Sequence, residues 1–144
     1  MGKVLTVGIA GFGTIGKVIG KALDEGMQGL KLIAVTSGNL AKARDNLTGY
    51  SNSVDVVEAD KLADLVDIVV ECAPTSAFMT VAEPTLRQGK ILVTVSGAAI
   101  LQNPNIIDTA KEHGGQIVLA TGALLGLDAV RAAALGDIHS VNMV

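Results

Sequence analysis

Short apolar runs alternate with amphipathic segments along this chain of 144 residues. The apolar runs are rich in Val, Ile and Leu, as is typical of parallel strands that are buried on both faces of a sheet. The segments between them repeat apolar residues at helical spacing. The pattern predicts strands over residues 4–10, 30–36, 54–57, 67–73, 90–96, 116–120 and 138–144. It predicts helices after residue 13 and over residues 39–47, 60–66, 75–88, 103–113 and 126–136.

Individual residues indicate where these helices begin, bend and end. The first helix is expected to present one apolar face, formed by Ile15, Val18, Ile19, Ala22 and Leu23. Pro84 is expected to kink or divide the helix that contains it, because proline lacks an N–H and its ring clashes with the preceding turn. Asn103 is expected to cap the next helix, with Pro104 at its first position, and Gly114 to end it.

Three glycines connect the first predicted strand to the first predicted helix. Gly11, Gly13 and Gly16 have the spacing G-x-G-x-x-G, which indicates dinucleotide binding when a strand precedes it and a helix follows it, as here. The glycines would make the tight turn, admit a pyrophosphate and let helix and strand pack closely. Free N–H groups near Thr14 and Ile15 would bind the phosphates. The alternative is a tight strand-to-helix turn without a ligand.

The alternation of strands and helices predicts an α/β fold with a doubly wound parallel sheet of the Rossmann type. Right-handed crossovers give the strand order 3-2-1-4-5-6, with a ligand cleft across the carboxyl ends of strands one and four. We expect residues 1–136 to form a dinucleotide-binding domain. Residues 137–144 are expected to form the first strand of a second, substrate-binding domain that is truncated. The unpaired edge of that strand favours self-association, and we expect a homo-oligomer.

The segment after the second strand bears on the choice of cofactor. NAD-binding folds place an Asp or Glu there to bind the ribose 2′-hydroxyl, but no acid occurs between residues 25 and 45. Ser37 and Asn39 occupy this place instead, and Lys42 and Arg44 follow on the next helix. A 2′-phosphate would meet no repelling carboxylate and could pair with a cation. NADP is therefore the expected cofactor and NAD the alternative, while the two cations could equally be solvated surface residues.

The fourth strand ends in Glu71, Cys72, Ala73 and Pro74, at the predicted switch point of the sheet. The backbone of Ala73 and Pro74 is expected to line the cofactor cleft, or alternatively only to start a helix. Cys72 is more typical of a small core residue than of a nucleophile, because no His lies nearby in sequence. Glu71 is a carboxylate in a buried strand, where it must be hydrogen-bonded. It is expected either to be structural or to lie near the nicotinamide end of the cleft.

The remaining ionisable residues form no recognisable catalytic or metal site. His113 is predicted in the last turn of a helix and His139 on the last strand, and neither has metal-ligating partners at useful spacing. Asp128 is better placed to cap a helix than to act as an acid. No metal is expected, and no catalytic residue is assigned.

Composition argues against several classes of protein. The formal net charge is −3 and aromatic residues make up 2% of the chain, so neither a basic patch nor stacking platforms for nucleic acid are expected. No apolar run approaches the roughly 18 residues of a membrane helix, and no secretory signal precedes the first strand. The single cysteine allows no internal disulfide, as is typical of a cytoplasmic protein.

Four stretches of the chain resemble a known family. The chain is similar to the nucleotide-binding half of L-aspartate dehydrogenase, a relative of homoserine dehydrogenase, in GFGTIG, DIVVECAP, LRQGKILVTVSGAAI and TGALLGLDAVRAAALGDIHSV. The resemblance implies NAD(P)-dependent hydride transfer that interconverts L-aspartate with iminoaspartate, or with oxaloacetate and ammonia, in the service of NAD biosynthesis. It also implies that the backbone near Ala123 contacts the cofactor. The family's catalytic histidine and most of its substrate contacts belong to a second domain with no counterpart in these residues.

Two other interpretations stay open from the sequence. The chain could belong to a homoserine-dehydrogenase-like or other amino-acid oxidoreductase, or it could be a stand-alone module that senses NAD(P). The missing acid after the second strand departs from the family pattern and argues against strict use of NAD. In the first interpretation the isolated chain binds cofactor without catalysing a reaction, because the catalytic groups lie elsewhere.

Overall fold

The computed structural model describes residues 2–120, 131–140 and 142. Its strands are β1 (Leu5–Ala10), β2 (Leu30–Thr36), β3 (Asp55–Val56), β4 (Ile68–Glu71), β5 (Ile91–Thr94) and β6 (Gln116–Leu119). They form one parallel sheet in the order β3-β2-β1-β4-β5-β6, which confirms the doubly wound topology predicted from the sequence. The neighbours β1 and β4 therefore continue toward opposite edges of the sheet, and a cleft forms where their connections diverge.

Helices cover both faces of this sheet. They are α1 (Thr14–Asp24), α2 (Leu40–Asn46), α3 (Leu62–Leu65), α4 (Phe78–Arg87), α5 (Gly97–Gln102) and α6 (Asn105–His113). Single 3₁₀ turns, Ala59–Lys61 and Thr75–Ala77, lead into α3 and α4. In the part of the chain that the structure describes, none of these helices combines the length and apolar character needed to cross a membrane.

Two apolar clusters, one on each face, hold the layers together. Side chains alternate between the faces along each strand. In β1, Val7 and Ile9 belong to the cluster that includes α1 and α2, whereas Ala10 belongs to the cluster that includes α3, α4, α5 and α6. Just beyond β1, the ring of Phe12 meets that of Tyr50 edge-on, with centroids 6.2 Å apart. Apolar packing therefore covers both faces of the strand whose carboxyl end carries the glycine turn.

The prediction for the apolar face of α1 was wrong in part. Ile15 and Val18 are 52% and 68% exposed, and the buried residues of the helix are Gly16, Gly20 and Leu23. A Cβ at Gly20 would lie 2.8 Å from the Phe12 ring. The first two turns of the helix thus approach the sheet through Gly16 and Gly20, where no side chain would fit, and Leu23 packs into the core further along.

Two other predictions about the helices can be compared with the structure. Pro84 does not divide α4, which continues through it, and the alternative of a kink stays a prediction; the carbonyl of Thr80, which loses its partner there, belongs to an exposed residue that water can reach. Asn103 does not cap α6. It ends α5, a helix that the pattern did not predict, and its side-chain N–H donates to the carbonyl of Ala99 at 2.9 Å. Gly114 ends α6 in the left-handed conformation, as predicted.

Only part of the predicted C-terminal region can be compared with the structure. Residues 131–133 are helical, in line with the helix predicted over 126–136, whereas Ala123 and Asp128 lie outside the described residues. Residues 137–140 and 142 have no regular secondary structure, so the strand predicted over 138–144 is not formed in the described part. A strand needs a partner for its backbone hydrogen bonds, and β6 ends the described sheet. The domain division at residue 136 stays a prediction.

The carboxylate of Asp67 connects the amino ends of β1 and β4 through hydrogen bonds. Oδ2 of Asp67 accepts hydrogen bonds from the N–H and the hydroxyl of Thr6, both at 2.9 Å, and Lys3 Nζ lies 3.2 Å from Oδ1. The hydrogen bond from the Thr6 N–H, followed by that from its hydroxyl and the contact with Lys3, lowers the pKa of Asp67 to about 2. The ionised carboxylate is therefore stabilised by the folded state.

The substitution Asp67→Asn should remove a pH-dependent contribution to stability. The pKa of Asp67 falls from an ordinary value of 3.8 to about 2 on folding, so its contribution is complete above pH 3.8 and is lost as the pH falls through about 2. Urea unfolding from pH 7 to pH 2 should show the variant less stable at neutral pH, with the difference narrowing below pH 4. A difference that stays constant across this range would contradict the assignment. Asp108→Asn, which removes only an exposed ion pair with Lys111, is the control and should change the stability at pH 7 little.

Candidate functional site

A cavity of about 800 Å³ opens along the carboxyl edge of the sheet. The segments that follow β1, β2 and β4 form most of its wall, with a smaller part from the segment after β3 and from α4. The lining comprises residues 10–13, 36–40, 58–59, 72–74, 76–77 and Val81. The cavity therefore lies where the sequence predicted the ligand cleft, at the switch point between β1 and β4.

Gly11 holds the glycine turn against the loop after β4. Its φ is 92°, a conformation that favours glycine. A Cβ there would lie 2.5 Å from the carbonyl carbon and oxygen of Cys72 and 2.6 Å from the nitrogen of Ala73. The N–H groups of Gly11 and Phe12 both donate to the carbonyl of Thr36, at 2.9 Å and 3.2 Å. The backbones after β1, β2 and β4 are thus in direct contact, and the fold itself requires a glycine at this position.

Gly13 lacks a side chain for a different reason. It is the N-cap of α1 with a φ of −93°, and a Cβ added there would meet no heavy atom within 4 Å. Neither its φ nor its packing requires a glycine. It nevertheless borders the cavity, where a side chain would occupy the space through which a pyrophosphate approaches the backbone. The residues present therefore fit a bound dinucleotide.

The amino end of α1 is suited to an anion. Thr14 and Ile15 begin the helix, and within the described residues no acidic side chain occurs in its first turn and no side chain caps it. Its first N–H groups have no partner within the helix, and a phosphate can accept hydrogen bonds from them. Gly16 lies behind this turn, where a Cβ would collide with the carbonyl oxygen of Gly11. These three residues adjoin the cavity through the helix end, and they are not part of its lining.

Hydrogen bonds within the segment after β2 order its residues. Oδ1 of Asn39 accepts from the N–H of Lys42 at 2.9 Å, which makes Asn39 the N-cap of α2. Oγ of Ser37 lies 3.4 Å from the N–H of Asn39, and its hydroxyl proton can still donate to a ligand. Both residues line the cavity. This wall therefore presents hydroxyl and amide groups where an NAD-specific site carries a carboxylate.

The charged residues around this segment differ from the sequence-based picture. Neither Lys42 nor Arg44 lines the cavity, and Arg44 borders a separate depression beside β3. Glu58 lines the cavity instead. Sequence reasoning missed Glu58 because it is distant from strand two along the chain, although its place directly after β3 puts it at the same edge of the sheet. The cavity thus contains the carboxylate of Glu58, contrary to the expectation that a 2′-phosphate would meet no repelling carboxylate there, and the two cations lie outside its lining. The preference for NADP over NAD stays a prediction, which depends on the missing acid after β2.

Cys72, Ala73 and Pro74 form the wall after β4, as predicted for the last two. Burial, with a smaller effect from the charge of Glu71, raises the pKa of the Cys72 thiol to about 11. The thiol is therefore protonated near neutral pH, which argues against a nucleophilic role. The carboxylate of Glu71 is fully buried and accepts hydrogen bonds from the N–H of Ala73 and the hydroxyl of Thr94.

The other candidate residues lie away from this cavity or outside the described part. Ala123, expected to contact the cofactor, belongs to the latter group. His113 is exposed at the end of α6, with Nδ1 3.0 Å from the carbonyl oxygen of Thr109. A search of the described residues finds no group of His, Cys, Asp or Glu arranged to hold a metal ion.

Comparison with known proteins agrees with this geometry. Residues 11–120 match the family model described as homoserine dehydrogenase, NAD binding domain. An L-aspartate dehydrogenase of Bradyrhizobium diazoefficiens is 47% identical over 140 residues, which cover 97% of this chain and 50% of the relative. L-aspartate dehydrogenase 3 of Bordetella bronchiseptica is 40% identical over 141 residues, covering 97% of this chain and 52% of the relative. The chain thus spans about half the length of these curated relatives.

A solved structure shows the same fold. The homoserine dehydrogenase of Thiobacillus denitrificans superposes with a TM-score of 0.66 at 21% sequence identity, over 80% of this chain and 29% of that one. At this identity the likeness concerns the fold alone. Together, these findings confirm the resemblance to L-aspartate dehydrogenase and the expected cofactor class, NAD or NADP.

Gly13→Val should remove cofactor binding and leave the fold intact. The new side chain would fill the approach to the helix end, while no atom of the protein within 4 Å opposes it. By calorimetry the affinity for NADPH should fall at least about tenfold, or roughly 1.4 kcal/mol, with little change in Tm. Gly2→Val, at another uncrowded glycine, is the control and should bind normally. Unchanged affinity in Gly13→Val would show that the glycine turn is not the binding site.

Ser37→Asp should discriminate between the two cofactors. A carboxylate on this wall would repel a 2′-phosphate but could accept a hydrogen bond from a 2′-hydroxyl. NADPH binding should weaken by roughly 1–3 kcal/mol relative to NADH binding. Titration of both proteins with both cofactors measures this difference. Equal losses for the two cofactors would mean that Ser37 does not face the 2′ position.

Proposed function

Because the chain belongs to the family of homoserine dehydrogenase NAD-binding domains, we propose that it is the dinucleotide-binding part of an NAD(P)-dependent L-aspartate dehydrogenase. The cofactor class follows from the family, and the substrate is proposed from the two L-aspartate dehydrogenases that match almost the whole chain. In this proposal L-aspartate is interconverted with iminoaspartate, or with oxaloacetate and ammonia. A contribution to NAD biosynthesis is part of the same proposal.

The observation that carries the proposal is the uncrowded glycine at the start of α1. Gly13 borders the cavity at the switch point, and nothing in the described chain excludes a side chain there. A pyrophosphate that approaches the backbone gives this glycine a physical reason. The proposed contacts are Gly11, Gly13, Thr14, Ile15, Gly16, Ser37, Asn39, Ala73, Pro74 and Ala123.

These residues would bind and orient the cofactor without taking part in bond changes. When bound, the nicotinamide accepts or donates the hydride that is exchanged with the substrate α-carbon. The amino end of α1 would hold the pyrophosphate, and the wall after β2 would contact the adenosine ribose. The wall formed by Ala73 and Pro74 would leave room for the ribose near the nicotinamide. The protein's contribution here would be to hold the cofactor in the correct position.

Proton transfer and substrate binding need groups that this cavity does not supply. Oxidation of an amine requires an acid or base at the nitrogen, and a dicarboxylate requires cations. The cavity lining in the described residues contains no His, Lys or Arg, and its carboxylate, Glu58, belongs to the segment after β3, away from the wall after β4 that would face the nicotinamide. The thiol of Cys72 is protonated near neutral pH. We propose that the half of the relatives that this chain does not match supplies these groups. In this view residues 1–136 are the cofactor domain, and 137–144 begin the substrate domain.

The proposal also covers the protein's compartment, its oligomeric state and its binding partners. We propose a cytoplasmic homo-oligomer that binds neither nucleic acid nor membranes. Exposed apolar side chains support self-association: Val18 and Met27 are 68% and 46% exposed and border an apolar groove of about 300 Å³. A monomer would leave this surface in water, which disfavours it.

The 144-residue chain should bind NADPH but not turn it over. Calorimetry tests binding, and NADPH oxidation in the presence of oxaloacetate and ammonia tests turnover. The full-length Bradyrhizobium diazoefficiens relative is the positive control. Absence of binding would contradict the cofactor assignment, and steady turnover would contradict the proposal that the catalytic groups lie elsewhere.

A fusion protein tests whether this chain can serve as the cofactor domain of an L-aspartate dehydrogenase. It carries this chain in place of the matching half of the Bradyrhizobium diazoefficiens relative, with Gly13→Val in the same fusion as the matched control. The fusion should aminate oxaloacetate with NADPH, and the control should not. A fusion that folds and binds NADPH but does not aminate oxaloacetate would contradict this role.

A further inference from the structure

Glu71 occupies an unusual place for a carboxylate. It ends β4, a central strand, and its side chain is fully buried. The preceding residue on the same face of β4 is Val69, and both belong to the buried positions of the strand. Burial of a carboxylate opposes folding unless hydrogen bonds replace its hydration. An apolar residue would fill this position at lower cost, so stability alone does not explain the carboxylate.

The two oxygens of Glu71 link two loops. Oε1 accepts a hydrogen bond from the N–H of Ala73 at 2.8 Å, and Oε2 accepts one from the hydroxyl of Thr94 at 2.5 Å. Thr94 is itself fully buried, and its Oγ1 accepts a hydrogen bond from the N–H of Ser96 at 2.9 Å. Glu71 and Thr94 lie opposite each other in the paired strands β4 and β5. A continuous chain of hydrogen bonds therefore runs from the loop after β4 to the turn after β5.

One end of this chain of hydrogen bonds reaches the cavity. Ala73, whose N–H is held by Glu71, lines the cavity together with Cys72 and Pro74. The same short segment is in van der Waals contact range of the glycine turn, since a Cβ on Gly11 would lie 2.6 Å from the nitrogen of Ala73. A shift of this loop would therefore change both the cavity wall and the backbone contact that holds the glycine turn in place.

The partners of Glu71 are neutral donors at fixed positions. The ion pairs found among residues 2–120, 131–140 and 142 do not include Glu71. Its two acceptor atoms are instead directed at one backbone N–H and one buried hydroxyl. Hydrogen bonds have preferred distances and directions at the acceptor oxygen, which apolar contacts lack. This arrangement fixes the geometry of a loop more tightly than an apolar contact would.

We infer that Glu71 is a positioning residue of the cofactor cleft, whose carboxylate, held by Thr94, fixes the backbone of residues 72–74 against the glycine turn. The inference rests on the proposed function, because the consequence of this geometry is the affinity for the dinucleotide. Glu71 itself contacts no cofactor in this account. It acts through the position of Ala73 and Pro74.

Two substitutions of Thr94 test the hydrogen bond between its hydroxyl and the carboxylate of Glu71. Thr94→Val keeps the shape of the side chain but removes the hydroxyl, so that one carboxylate oxygen of Glu71 loses its donor and the N–H of Ser96 loses its acceptor. Thr94→Ser retains the hydroxyl. Thr85→Val is the matched control, because Thr85 is equally buried and does not line the cavity, and its hydroxyl donates within α4, to the carbonyl of Val81, instead of to the carboxylate of Glu71. All three variants are compared with the wild-type chain in Tm and in Kd for NADPH.

Thr94→Val should weaken NADPH binding by about tenfold, the effect of leaving a buried acceptor unpaired. Thr94→Ser should bind within about twofold of the wild type, since the hydroxyl that makes the bond is retained. Thr85→Val should lower Tm without changing Kd. If Thr94→Val lowers Tm but leaves Kd unchanged, as Thr85→Val does, Glu71 serves stability only and the inference is wrong.

The single cysteine provides a second readout that does not depend on cofactor binding. Cys72 lies between Glu71 and Ala73 in the loop itself, and its alkylation reports the exposure of the loop and the charge beside it. Thr94→Val should increase the alkylation rate of the native protein several-fold over Thr85→Val. An equal alkylation rate in these two variants would overturn the inference. This readout does not depend on NADPH binding, whose absence in the wild-type chain would contradict the proposed function instead.

Glu71→Gln separates the charge of the carboxylate from its position. Burial is the larger cause of the raised Cys72 pKa of about 11, and the charge of Glu71 is the smaller one. In Glu71→Gln the pKa of Cys72, measured from the pH dependence of alkylation, should therefore fall but stay above 9.0, the ordinary value. An unchanged pKa would show that the carboxylate of Glu71 does not lie beside the Cys72 thiol, and would contradict the placement of Glu71 on which the inference depends.

Discussion

The close approach of two backbones at the carboxyl edge of the sheet determines the rest of the site. Gly11 lies so near the carbonyl of Cys72 and the nitrogen of Ala73 that a single additional carbon would be within 2.6 Å of them. No residue other than glycine can occupy this position without separating the loops after β1 and β4. The contact brings the start of α1 and the wall after β4 to the same cavity, which is the arrangement that open parallel sheets use to bind ligands.

Other interactions reinforce this contact from both sides. The carbonyl of Thr36 accepts hydrogen bonds from the N–H groups of Gly11 and Phe12 and so ties the glycine turn to the end of β2. On the other side, Glu71 ties the loop after β4 to Thr94 on β5. Four adjacent strands thus hold the cavity walls at fixed positions. A rigid frame of this kind suits a site whose contribution is the position of a cofactor.

Much of this architecture could be predicted from the sequence, because its signals are local. Apolar runs and helical periodicity depend on neighbours along the chain, and they predicted the strand order and the place of the cleft. The glycine spacing predicted the turn. It did not show that a Cβ has no room at Gly11, whereas a side chain at Gly13 would meet no neighbouring atom. Only the distances to atoms far away in sequence make that distinction.

The errors about the packing of α1 and the charges of the cavity share a physical cause, since they depend on contacts between distant residues. Ile15 and Val18 looked like core residues by their spacing, but α1 meets the sheet through Gly16 and Gly20. Glu58 enters the cavity wall from β3, and Arg44 faces another depression. Of the two donors to Glu71, Ala73 lies two residues away along the chain, whereas Thr94 lies on the neighbouring strand β5, and a single sequence does not show that Glu71 and Thr94 are paired.

An NMR titration of the ¹⁵N-labelled chain with NADPH tests the central claim most directly, because it reads each backbone amide separately. The account predicts that the largest shifts occur at the amides of Gly13 and Thr14, with smaller shifts at Ser37 and Ala73. The amide of Asp67, at the opposite edge of the sheet, should not move. Shifts concentrated away from the glycine turn, at a concentration of NADPH that saturates the protein, would contradict the claim that this turn binds the dinucleotide.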